Sequence, residues 1–212
     1  MADDLSINQK VANFITGQLN KAVGDGGCWA LAENALLAAG AMTSNDLTDK
    51  EEFKKADAQY VFGTAIEAKN AAPGDLVQFK NYVMTRTVET KYDLPDGNSI
   101  TLTSTDEVPK IHHSAVVMSM MDKDGRLVVV EQWKGSKAHW GDFYTRPLAV
   151  ESSGTVPLSV IASRLPRDND YNVRMKMLAE AKKVSNIAAY KETATISLSK
   201  DSFYQVYHPK PK

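Results

Sequence analysis

Cysteine is nearly absent: Cys28 stands alone among 212 residues. A lone thiol excludes an internal disulfide framework and any zinc site built from several cysteines. Long apolar runs are missing too, none approaching the roughly 20 residues that cross a bilayer. The acidic start Met1-Ala-Asp-Asp-Leu5 has neither the basic opening nor the apolar stretch of a secretory signal. Nor does charge of one sign dominate. With 25 Lys and Arg against 26 Asp and Glu, composition supplies no net basic face for nucleic acid or an anionic membrane. No internal repeat or low-complexity linker interrupts the chain. What is present, 43% hydrophobic and 24% charged residues, is a globular balance. These features set the expectation of a soluble, cytoplasmic protein with one domain over residues 1–212.

The N-terminal part has helical grammar. Ser6 and Gln9 have capping-box spacing, and Ile7, Val11, Phe14, Ile15 and Leu19 recur at helical intervals, predicting a helix over roughly 7–21. Val23-Gly-Asp-Gly-Gly27 forbids a regular element, and a second helix is expected from Cys28 to a glycine cap at Gly40. Residues 46–58 are polar and suggest a short surface helix. From Pro73-Gly-Asp75 the pattern turns to strands: 76–79, then 82–92 joined to 100–105 across Pro95-Asp-Gly-Asn98, then 114–118 joined to 127–130. Residues 160–165 read as a further strand, 171–190 as a helix, and 193–198 and 203–207 as strands. Helices first and an antiparallel sheet after them give an α+β class.

Chemistry concentrates at Gly24-Asp-Gly-Gly-Cys-Trp29. The free N–H groups and positive dipole end of a helix start favour a thiolate, the attacking form of cysteine, and the same N–H groups suit an oxyanion. The bland alternative is a small buried cysteine with no role. A nucleophile needs a base, and four histidines exist: His112, His113, His139 and His208. The pair His112-His113 leads the strand 114–118, whereas His139 and His208 read as loop or surface residues. A zinc site fits poorly, because no pair has i, i+4 spacing and adjacent His112 and His113 point to opposite faces of a strand. A polar group must orient the imidazole. Glu131 and Gln132 end the partner strand, and spacing alone leaves the choice open: a two-residue loop selects Gln132, one extra residue selects Glu131.

Gly-Gly-Cys28-Trp29-Ala-Leu-Ala, Pro73-Gly-Asp-Leu-Val-Gln-Phe79, His112-His113-Ser-Ala-Val-Val117 and Val129-Val-Glu-Gln132 occur in one order. That order resembles the papain-like amidase and peptidase superfamily that includes NlpC/P60 and CHAP domains. The likeness covers residues 24–133, about half the chain. It implies N-terminal helices carrying the nucleophile on an antiparallel sheet, with Cys28 as nucleophile, His113 as general base and then acid, and Glu131 orienting His113. Where CHAP-like domains carry Glu-x-Asn, this chain has Glu131-Gln132-Trp133, so Gln132 stays as the rival. Gln18, ten residues before the cysteine (28 − 18), is not assigned to an oxyanion hole.

The resemblance implies a cysteine amidase or peptidase acting on a peptide or peptidoglycan-like amide, with no cofactor and no metal. A wall substrate would require export by a route other than the ordinary signal. The alternatives are a non-catalytic binding module on the same fold, and an acyltransferase or thioesterase using the same Cys-His pair. The motif-bearing core is expected at about 6–145. The extension at about 146–212 is open as a lid, a groove wall or a surface for a protein partner or inhibitor.

Overall fold

Ser6 caps the first helix as its spacing predicts: its hydroxyl accepts from Gln9 N–H while Gln9 Oε1 accepts from Ser6 N–H. The structure is a computed structural model that describes residues 5–55, 57–168 and 170–212. Over these it is α+β, with six α-helices and eight strands in one antiparallel sheet. The chain forms two compact units, one of residues 5–84, 108–146 and 198–212, the other of residues 85–107 and 147–197.

The first unit opens with α1 (Ile7–Gln18) and α2 (Cys28–Ala39). Val11 and Ile15, four apart, are fully buried and join Leu31, Ala35, Leu36 and Ala39 of α2 in one core. The alanines let the helices approach closely. Gly40 ends α2 in the left-handed conformation, φ 71°, its N–H turned back to the carbonyls of Leu36 and Leu37. The predicted helix over 46–58 is instead two single turns, α3 (Ser44–Leu47) and α4 (Lys50–Phe53), each opened by a capping side chain, Thr43 and Asp49.

The sheet of this unit uses β1 (Thr64–Ile66), the first half of β2 (Leu76–Asp93), the second half of β3 (Ser99–Val117), β4 (Arg126–Glu131), β5 (His139–Tyr144) and β8 (Phe203–His208), in the order β1-β8-β2-β3-β4-β5. The segments 76–79 and 82–92, expected as separate strands, are one strand, and Asn81 absorbs the irregularity between them at φ 50°. Likewise 100–105 and 114–118 are parts of β3. Lys137–Gly141, expected as loop, runs into β5, paired along β4 with Glu131 opposite His139. Leu76, Val116 and Val130 turn inward onto the helices.

The second unit takes the hairpin halves of β2 and β3, then β6 (Leu148–Pro157), α5 (Leu158–Arg164), α6 (Tyr171–Ala181) and β7 (Ile187–Leu198). The predicted strand at 160–165 is corrected to helix α5. Leu158, Ile161 and Leu165 recur at helical spacing and are buried with Tyr92, Ile100 and Leu178, so the tertiary core overrides the strand preference of Val160 and Ile161. The helix expected to reach Tyr190 ends at Ala181. Its last apolar residues, Ile187 and Ala188, open β7, which pairs with β6 and β2. No helix among the described residues is long and apolar enough to cross a membrane.

Candidate active site

Cys28 is the first residue of α2, and Gly27, the N-cap, offers no side chain to the helix end. The N–H groups of the first turn are therefore left to whatever occupies the site. The turn before it is built from Gly24 (φ 60°) and Gly26 (φ 84°), where a side chain would be strained; a Cβ on Gly24 would also run into that of Ala30. Gln132 holds the turn from behind. Its Oε1 accepts from Val23 N–H at 2.9 Å, and its Nε2 donates to the carbonyls of Val23 at 3.0 Å and Gly27 at 3.2 Å.

Register places Glu131, not Gln132, beside His113. Ala115 lies opposite Glu131, Val116 opposite Val130 and Val117 opposite Val129. The connection through Asp122 and Gly125 is longer than a two-residue turn, with Met118 N–H still bonded to Val128 O. Residues 113 and 115 share a face of β3, so Glu131 shares it too. His113 Nε2 lies 3.0 Å from Glu131 Oε2, with both residues buried. With Nε2 spent on the carboxylate, the ring's other nitrogen is left for the sulfur, and the imidazole and thiol are near enough to shift each other's ionisation.

The sulfur's environment is mixed in sign. Burial pushes the Cys28 thiol up, but the hydrogen bond and charge of His113 and the N–H groups of Ser114 and Trp29 outweigh it, so the thiol ionises below its ordinary value. For His113, burial favours the neutral ring, while hydrogen bonds and charge from Cys28 and Glu131 favour the cation and prevail, lifting it above the usual imidazole range. Glu131 is lowered against the upward push of burial by its hydrogen bond to His113 and by Lys110. All three shifts favour a thiolate, an imidazolium and a carboxylate in line.

Lys110 was not anticipated. It is fully buried, and its ammonium pairs with Glu131 Oε2, the oxygen that also meets His113. The same nitrogen lies over the rings of Phe79 at 5.5 Å and Trp133 at 5.6 Å. Trp133 stacks on His113, centroids 4.0 Å apart and planes 16° from parallel, with Phe79 also aligned to the imidazole at 6.2 Å. On β5, Gly141 makes room for Glu131, since a Cβ there would collide with Oε1. Trp29 donates its indole N–H to Ser44 Oγ at 2.9 Å and sits with Phe53 and Tyr60 in an aromatic group; the thiolate of Cys28 contributes to raising the Tyr60 phenol, after burial.

The other histidines have separate partners: His112 Nε2 meets Ala58 O, His139 Nδ1 meets Lys137 O, and His208 Nδ1 meets Asp75 Oδ1. Among the described residues no group of three side chains is arranged to hold a metal ion. The arrangement of Cys28, His113 and Glu131 suits nucleophilic attack by sulfur with proton transfer by an oriented imidazole. No family model matches the chain, and neither a curated protein nor a solved structure matches it.

Proposed function

We propose that the protein is a cysteine amidase or peptidase of papain-like design, acting on a peptide or peptidoglycan-like amide. The observation that carries this reading is the continuous chain of polar contacts from Cys28 through His113 to Glu131 Oε2, at 3.0 Å on its last link, set at an uncapped helix start. The Cys28 thiolate attacks the amide carbonyl carbon, and the oxyanion that forms is met by first-turn N–H groups of α2. The His113 imidazolium gives its proton to the departing amine as the C–N bond breaks, leaving an acyl thioester. Water then adds to the thioester while His113 takes its proton. The C–S bond breaks, the acid leaves, and the thiolate–imidazolium pair is restored. Glu131 holds the ring and its charge throughout, and Lys110, acting through Glu131, is a positioning residue.

The test is turnover of peptidoglycan fragments and model peptide amides by the purified chain. Cys28→Ala is expected to abolish hydrolysis while the circular dichroism spectrum and melting temperature stay close to the parent's. Undiminished turnover in that variant overturns the reading.

A further inference from the structure

The second unit contains a cleft that the chemistry at Cys28 does not use. Its volume, about 670 Å3, falls within the range of small-ligand sites. Strand residues of β2 and β3 form the floor, including Thr90 and Ser104, and the end of α5, the loop after it and α6 form the wall. Three arginines line it, from three different elements: Arg86 from β2, Arg164 from the last turn of α5, and Arg174 from α6.

These cations are not paired with the acids that line the cleft beside them. Two carboxylates line the cleft, yet Glu192 Oε2 accepts from the Thr90 hydroxyl at 3.1 Å and Asp168 Oδ1 accepts from Asp170 N–H at 3.0 Å. Neither forms an ion pair with an arginine among the described residues. Arg164 donates one N–H to the Tyr92 hydroxyl at 2.9 Å, Arg174 reaches only Asp170 at 3.9 Å, and the Arg86 side chain has no ion-pair partner among the described residues. Each guanidinium carries five donors in a fork shaped for paired oxygens, and these partners use only a small part of that capacity. Ser104 on the floor adds a neutral donor, the Thr90 hydroxyl being spent on Glu192. The cleft thus holds three arginines against two carboxylates, and neither of those carboxylates forms an ion pair with an arginine among the described residues.

We propose that this cleft binds a compact oxyanionic ligand, its carboxylate or phosphate oxygens held by Arg86, Arg164 and Arg174 and a further polar group by the Ser104 hydroxyl. The two chemistries are separated by titrating the full chain calorimetrically with inorganic phosphate and, in parallel, with citrate at low ionic strength. Saturable binding of at least one probe is expected, with a Kd at or below about 1 mM. Binding of phosphate alone marks a phosphate-bearing ligand, and binding of citrate alone a carboxylate-bearing one. Arg86→Met and Arg174→Met, each at a position not fully buried, should each weaken binding by about tenfold or more and flatten its salt dependence, without moving the melting temperature. Cys28→Ala should bind as the parent does, which separates this inference from the proposed hydrolase. Absence of saturable binding for both probes, or binding indifferent to both arginine substitutions, overturns it.

Discussion

Lys110 and His113 meet on a single oxygen, Glu131 Oε2, although they stand three residues apart on one strand. Strict alternation would put them on opposite faces, yet both side chains reach the same carboxylate. The result is a row of alternating charge from the buried Lys110, Glu131 and His113 to the half-buried Cys28. Lysine is rarely this buried without a partner, and breaking such a pair strands a charge in the interior.

Glu131→Gln, which strands the Lys110 ammonium, should therefore cost about 3–5 kcal/mol of stability in urea unfolding; Lys110→Met should cost less, since His113 still meets the carboxylate, and the double variant should lose less than Glu131→Gln alone. The cost of Glu131→Gln depends on pH. The folded carboxyl lies below its ordinary 4.5, so its contribution is full above that value and disappears as pH falls through the folded value. Lys110→Met should also move the alkylation profile of Cys28 upward, because a carboxylate with one cationic partner fewer holds the imidazolium less firmly. A stability loss with an unmoved profile would reduce Lys110 to a purely structural group.

Thiolate reactivity gives the most direct readout of the site. The rate of iodoacetamide alkylation should rise with an inflection below 9.0, the ordinary thiol value, and Cys28 should be the residue labelled. His113→Ala removes both a hydrogen bond and a charge while burial persists, so the inflection should move up. An inflection that stays put would show that His113 does not govern the sulfur.

Gly141→Ala is a small change on a neighbouring strand with a specific target. Its methyl group would occupy the space of Glu131 Oε1 and turn the carboxylate away from His113. Hydrolysis should drop by about tenfold or more, in line with loss of one charge-assisted hydrogen bond, and His113 should titrate at lower pH by NMR. Parental activity would mean that the carboxylate adjusts without leaving the ring.

Gln132→Ala tests the turn rather than the row of charges. It strips partners from Val23 N–H and from the carbonyls of Val23 and Gly27, at a cost of about 2–3 kcal/mol. Cys28 alkylation should slow, while the His113 titration stays near the parent's. Equal stability in thermal unfolding would contradict the bracing role.

Much of this was readable from residues alone, where local physics decides. Ser6 with Gln9, Gly40 after an alanine-rich helix, and Pro95-Asp-Gly-Asn98 between alternating segments each specify their element within a few residues, and each appears as read. Cys28 at a helix start was visible for the same reason, whereas His113, expected to lead a short strand, lies inside the long β3. Glu131 over Gln132 was not visible, because a single residue of loop length reverses the answer. Lys110 was hidden twice, by its odd spacing from His113 and by a residue type that normally faces water. The errors at 160–165 and 187–190 share a cause: short Val-, Ile- and Ala-containing runs fit either period, and the core around Tyr92 and Leu178 decides between them. Strand β6, exposed along nearly its whole length, carries no apolar alternation to read.

The near-parallel contact of Trp133 with His113 has an optical consequence. An indole pressed against an imidazole loses emission when that ring becomes cationic, so the fluorescence of this one side chain reports the proton content of its neighbour. With Trp29 and Trp140 replaced by phenylalanine, the molecule would carry its own built-in indicator dye at the heart of the cluster, readable in real time and without any added label.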